Sequence, residues 1–157
     1  MGGRAMTETT APAMRAPMPI SFWVVAGLSL LWNLFGAYDY LMTRSRNEPY
    51  LSAMGDPKAV LAWIDSFPLW LQLCWGMGVW GAVAGSLLLL AKSRLAVPAF
   101  LLSLMGAVGS LMFQATDRAV PAAFDSSGRL IMPVVIVAVA GFLWQFSRLE
   151  RAKGMLR

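Results

Sequence analysis

The sequence predicts an all-α fold, an integral membrane bundle of four helices, on three observations. Four apolar stretches run at about residues 20–42, 69–90, 95–113 and 130–146. Each approaches or exceeds the roughly 20 helical residues that cross a hydrocarbon core about 30 Å thick. The chain is 58% hydrophobic and 13% charged, against about 25% charged in an average soluble domain. Surface this apolar has to face lipid, or other helices within lipid. The runs are also continuous, as in Leu87-Leu88-Leu89-Leu90 and Val134-Val135-Ile136-Val137. A membrane β-barrel instead alternates apolar and polar residues in segments of about 10.

Residues 1–18 are rich in Met, Ala, Pro and Thr and carry no helical or strand period, so a disordered N-terminal tail is expected. Arg15 before an apolar run resembles a secretory signal. The run is too long for a signal core, and Leu34-Phe35-Gly36-Ala37 puts bulky groups where cleavage needs a small one. The first span is therefore read as uncleaved, the start of a transmembrane domain at 19–147. The first loop, 43–68, is the longest. Within it Asp56-Pro57 is a helix start, a capping carboxylate followed by proline at the first helical position. Val60, Trp63, Ile64 and Phe67 then share one face, which predicts a short helix lying in the membrane interface. Pro68, Pro98 and Pro133 mark the first turns of the next three spans, where the amide that proline lacks would have had no partner in the helix. The 91–94 link is so short that spans two and three must be antiparallel neighbours. In the third loop Asp125-Ser126-Ser127-Gly128 is a turn signal. There is no internal repeat of the kind that builds inverted-repeat transporters.

Charge sets the orientation. Eight Lys and Arg lie on the side shared by the N-terminal tail, the second loop and the basic C-terminal tail at 148–157, and five on the side of loops one and three. The positive-inside rule places both termini in the cytoplasm, and a bacterial inner membrane is the simplest home for such a multi-pass chain. The net charge of +5 flanks the spans and forms no basic patch, so nucleic-acid binding is not expected. The expected partners are the lipid bilayer and either further copies of this chain or another membrane protein.

Catalysis finds little to work with. The chain has no histidine and one cysteine, Cys74, among Leu71, Leu73 and Trp75, where a thiol is an inert packing group. The spans offer serines but no lysine or histidine as a base, and Asp39 is their only acid. Intramembrane hydrolysis needs a nucleophile with a base, or paired acids. No catalytic residue, metal ligand or cofactor is expected, and the chain is not read as an enzyme.

Two sets of residues remain as candidates. Gly81 and Gly85 form a GxxxG pair, with Gly78 and Ala82 at the same spacing and Gly106 and Ser110 likewise in span three. Small residues let helices approach closely, either inside one bundle or between copies. The second set lies near the outer ends of the spans: Asp39, Tyr40, Gln72, Trp75 and Gln114 fall at similar depth, with Asn33 towards mid-membrane. An intramembrane acid is a functional candidate by default, and the helix C-terminus disfavours its charge, so Asp39 calls for a partner such as Arg44, Arg46 or water. These groups read either as a shallow site for a small polar solute or as an interfacial aromatic belt with polar ends.

The run Trp32-Asn33-Leu34-Phe35-Gly36-Ala37-Tyr38-Asp39-Tyr40-Leu41-Met42-Thr43, with Tyr50-Leu51, Pro68-Leu69-Trp70, Gly78-Val79-Trp80-Gly81 and Gly85, resembles a group of small bacterial four-helix membrane proteins. Most of that group are uncharacterised and some are labelled sugar transporters. The resemblance covers about the first three spans and implies no assigned site residues. The expected function is that of a small non-enzymatic inner-membrane protein acting through helix association, either alone or as an accessory subunit. The alternative is a small-solute carrier, a sugar transporter, with a polar site near the outer leaflet.

Overall fold

Backbone amides in lipid must be satisfied within the chain, and the apolar stretches do so as long helices. The computed structural model describes residues 18–117 and 129–157. Tail residues 1–17 and the turn at Asp125–Gly128 lie outside them. The elements are α1 (Ile20–Arg44), α2 (Glu48–Ser52), α3 (Pro57–Asp65), α4 (Leu69–Leu90), α5 (Ala96–Thr116) and α6 (Ile131–Ala152), with no strand among the described residues. Four of them, α1, α4, α5 and α6, are long and apolar enough to cross a membrane. The chain is therefore a multi-pass membrane protein by helix length and composition.

Consecutive spans are spatial neighbours: α1 packs on α4, α4 on α5 and α5 on α6. Short links favour this up-and-down order. The α4–α5 contact is the most extensive. One end of the bundle carries the start of α1, the α4–α5 link and the C-terminus. At this link end Phe22, Ala26, Leu89, Ala96, Phe100, Leu143 and Leu156 form one buried cluster. The opposite, loop end carries α2 and α3. Leu51 of α2 with Val60 and Ile64 of α3 forms a second cluster, covered by Trp63, Phe67 and Trp75. The apolar face predicted for α3 thus rests on α2 and on Trp75 of α4.

The helix ends explain the boundaries. Asn47 and Asp56 cap α2 and α3 by accepting hydrogen bonds from the Tyr50 and Lys58 amides at 3.0 and 3.1 Å. Pro19 and Pro68 occupy the N-cap positions of α1 and α4. Three helices close in the same way, with paired bonds from the two residues after the cap back into the last turn. After α1, the Arg46 amide donates to Thr43 O and the Asn47 amide to Met42 O. After α4, Lys92 donates to Leu89 O and Ser93 to Leu88 O. After α6, Gly154 donates to Arg151 O and Met155 to Glu150 O. This closure needs a left-handed residue, and Arg46, Lys92 and Gly154 supply it at φ of 56°, 57° and 72°. For the two cations the backbone strain is about 1 kcal/mol, offset in part by a positive charge at the negative end of the helix dipole. The Lys92 ammonium also sits 5.0 Å from the Trp23 ring centroid, a cation–π contact.

Segment 148–157 does not run free of the bundle. Helix α6 continues to Ala152, and after Gly154 the chain turns back onto the bundle. The Arg157 amide donates to Lys92 O at 2.7 Å and the Arg94 amide to Arg157 O at 2.6 Å, and Leu156 is 6% exposed. Arg148 stacks on Trp144 of its own helix. The basic residues of the segment are exposed with Leu149, while Leu156 is inside.

Candidate functional site

The small residues of α4 face α5 of the same chain. A side chain placed on Gly106 would meet the Cys74 carbonyl and, at 2.6 Å, the Gly78 nitrogen. One on Gly81 would lie 3.1 Å from the Ser103 nitrogen and 3.2 Å from Ala99 O, and one on Gly85 would enter the Phe100 ring at 2.7 Å. The Ser103 hydroxyl donates to Gly78 O at 2.7 Å across this contact. Cys74 closes the seam at the other end, its sulfur 2.9 Å from where a Gly109 side chain would begin. Gly78, Gly81, Gly85 and Gly106 are therefore packing positions within one chain, where near-contact of two backbones brings in dispersion contacts. The Ser110 hydroxyl is buried without a hydrogen-bond partner among the described residues.

Asn33 does not open a polar path. It is buried between α1 and α4, and its amide donates to Ser86 Oγ at 2.8 Å and to Ala82 O at 3.3 Å. The Ser29 hydroxyl lies 3.2 Å from Ser86 Oγ, and Ser86 is within 3.0 Å of Ala82 O. Fully buried Ser86 is the hub: it accepts from Asn33 and returns its own proton to the helix. An interhelical bond of this kind in lipid contributes about 0.6 kcal/mol and at most about 1.7. Asn33→Leu is accordingly expected to weaken α1–α4 association by about 1 kcal/mol, and Ser86→Ala by a similar amount. Unfolding in mixed micelles measures both. If the double variant lost the full sum of the single losses, the two residues would not be acting on each other.

At the loop end, the structure distributes the predicted site residues among separate partners. Asp39 accepts a 2.6 Å hydrogen bond from the Tyr50 hydroxyl of α2, so its partner is tyrosine and not the expected Arg44 or Arg46. Tyr40 packs edge-on against Trp75 at 4.8 Å and Trp80 at 6.1 Å between ring centroids. The Gln72 amide donates to Phe67 O at 2.9 Å, just before its own helix, and its oxygen lies 3.4 Å from Arg44 Nη1. Gln114 is half-buried in the last turns of α5. Arg46 holds Asp65 through Nη2, at 2.9 and 3.0 Å, and the Trp63 indole donates to Asp117 at 2.7 Å. These last two links, with α2 itself, were not foreseen from the sequence.

Burial raises the Tyr50 hydroxyl pKa, and the hydrogen bond and negative charge of Asp39 raise it further. The folded state therefore keeps this proton at a pH where an unfolded tyrosine, with its ordinary value of 10.0, has lost it. Stability from this pair is complete below that value and falls as pH rises above it. In a spectrophotometric titration, one of the three tyrosines is expected to resist ionisation well beyond pH 10. Asp39→Asn restores part of the ordinary behaviour, and Tyr50→Phe removes the resistant signal. Three tyrosines ionising together would contradict the pairing.

Beside this network lies an open depression of about 100 Å³ lined by Thr43, Arg44, Arg46, Leu61, Ile64 and Asp65. Sites for drug-sized ligands usually have about 300–1,000 Å³. Among the described residues no three His, Cys, Asp or Glu side chains cluster as metal ligands would. No family model, curated protein or solved structure matches the chain.

Proposed function

We propose that the protein is a non-catalytic bacterial inner-membrane protein with both termini in the cytoplasm, and that it acts through helix association as an accessory subunit. The supporting observation is the way the bundle uses its polar groups. Asn33, Ser29 and Ser86 bond to each other and to Ala82 O. Ser103 bonds to Gly78 O, and Asp39 to Tyr50. A carrier presents polar side chains to a solute path; here they are turned on one another. The glycine seam is occupied within the chain, which leaves α1 and α6 as the flanks offered to lipid or to a partner. Of the four spans α6 is the least buried, at 17% of its apolar stretch, against 28% for both α1 and α4.

The carrier reading, which the family resemblance raises, draws on a different observation. Half-buried Asp39 and Tyr40 lie on consecutive residues, with Trp75 stacked on Tyr40, and aromatic faces with a carboxylate suit a polyol. Uptake and assembly separate the two readings. Asp39→Asn is expected to leave assembly and growth unchanged if the protein is an accessory subunit. Loss of solute uptake in an Asp39→Asn protein that still assembles would establish the carrier instead.

A further inference from the structure

The depression at the end of α1 has a chemistry that the network around it does not use. Thr43 and Arg44 are the last two residues of a membrane-crossing helix, which places them where hydrocarbon gives way to headgroups. Two guanidiniums, Arg44 and Arg46, line it with one carboxylate, Asp65, leaving one positive charge in excess. Arg46 reaches both Asp65 oxygens through Nη2 alone, so its Nε and Nη1 protons have no acceptor among the described residues. Arg44 has only the 3.4 Å contact from Nη1 to Gln72. Thr43 is 5% exposed, and its hydroxyl makes no hydrogen bond to the described residues. The Arg46 backbone is also fixed, because it supplies the left-handed turn that closes α1. Leu61 and Ile64 of α3 make the remaining wall apolar.

Unspent donors on planar guanidinium forks, an unpartnered hydroxyl and an excess positive charge match the tetrahedral oxygens of a phosphate. We propose that this depression binds a phosphate group, either that of an anionic phospholipid headgroup or that of a soluble phosphate compound. The volume of about 100 Å³ suits a phosphate group and is small for a whole solute such as a sugar. The apolar wall of Leu61 and Ile64 beside the donors suits the start of a lipid's acyl chains. This site stands independently of the accessory reading, since either an accessory subunit or a carrier can hold a boundary lipid.

The test uses the full chain, stripped of lipid in neutral detergent and titrated with phosphatidylglycerol in native mass spectrometry. Diacylglycerol with the same acyl chains and inorganic phosphate serve as the comparison probes. One phosphatidylglycerol is expected to bind in preference to diacylglycerol. Arg44→Gln and Arg46→Gln each weaken it roughly tenfold, the worth of a charge-assisted hydrogen bond, and Thr43→Val weakens it less. Lys58→Gln, on exposed α3 outside the depression, leaves binding unchanged. Asp65→Asn removes the competing carboxylate and tightens binding, a gain that a merely misfolded variant cannot show. Competition by inorganic phosphate assigns the site to a soluble phosphate, and its absence assigns it to the lipid. Diacylglycerol binding as tightly as phosphatidylglycerol overturns the proposal. So does phosphatidylglycerol binding that is unaffected by both arginine changes, or binding that Asp65→Asn leaves unchanged or weakens.

Discussion

Gly106→Leu is expected to separate α4 from α5 and to lower stability by at least ~3 kcal/mol, the upper range for overpacking a tight core. The obstacle is backbone: the new side chain would start against the Cys74 carbonyl and the Gly78 nitrogen and Cα, which cannot rotate away as a side chain can. Even Gly106→Ala meets these atoms. The three atoms nearest a side chain at Gly85 all belong to the Phe100 ring, so Gly85→Ala is expected to be milder because a ring can tilt. Gly27→Ala and Gly36→Ala on α1 supply the contrast. Nothing lies within 4 Å of a side chain at either position, so the better helix propensity of alanine is expected to leave stability equal or raised by up to about 1 kcal/mol. Reversible unfolding in mixed micelles gives the order. Equal losses at Gly106 and Gly36 would show that the α4–α5 approach is not what holds the bundle.

Leu156→Asp is the second large effect, an expected loss of at least ~3 kcal/mol. Truncating a buried leucine to alanine alone removes about 2–5 kcal/mol, and a buried carboxylate without a partner adds its desolvation. Leu156 sits in the link-end cluster with Phe22, Leu89, Phe100 and Leu143, so one substitution near the C-terminus loosens α1, α4, α5 and α6 together. Deletion after Gly154 should reproduce most of the loss and also removes the Arg157 bonds to Lys92 and Arg94. Leu149→Asp, on the exposed side of α6, is the control for a new charge on that helix. Protease accessibility of the α4–α5 link reports the opening directly. A truncated chain with wild-type protection there would contradict a docked C-terminus.

The contrast between these two sites shows what a single sequence carries. Span positions follow from apolar run length and first-turn prolines, and the observed helices begin within one residue of the expected starts. Helix α3 was legible because Asp56-Pro57 is a local signal. Spacing likewise exposed the small residues at Gly78, Gly81, Gly85 and Gly106. Their partner was not legible, because a GxxxG stripe has the same pattern whether it meets its own chain or another. The folded-back C-terminus had a signal in Gly154 followed by Leu156, the glycine-plus-apolar pattern of a helix end that turns back, but the basic residues around it dominated the reading. Asn47-Glu48-Pro49 similarly announces α2 through a cap and an early proline. The closures at Arg46 and Lys92 had no such signal, since a left-handed arginine or lysine is chosen by its surroundings and not by propensity. The outer polar level was read by depth alone. Depth groups Asp39, Gln72 and Gln114 but not rotation about each helix axis, and rotation is what gives Asp39 to Tyr50 and Gln72 to Phe67 O.

Native mass spectrometry of the protein extracted gently from its own membrane tests the proposed role most directly. A fixed stoichiometry with a second membrane protein, retained in the Asp39→Asn variant, is expected. A homo-oligomer free of other proteins and carrying a bound small polar solute would contradict it and make the chain a carrier.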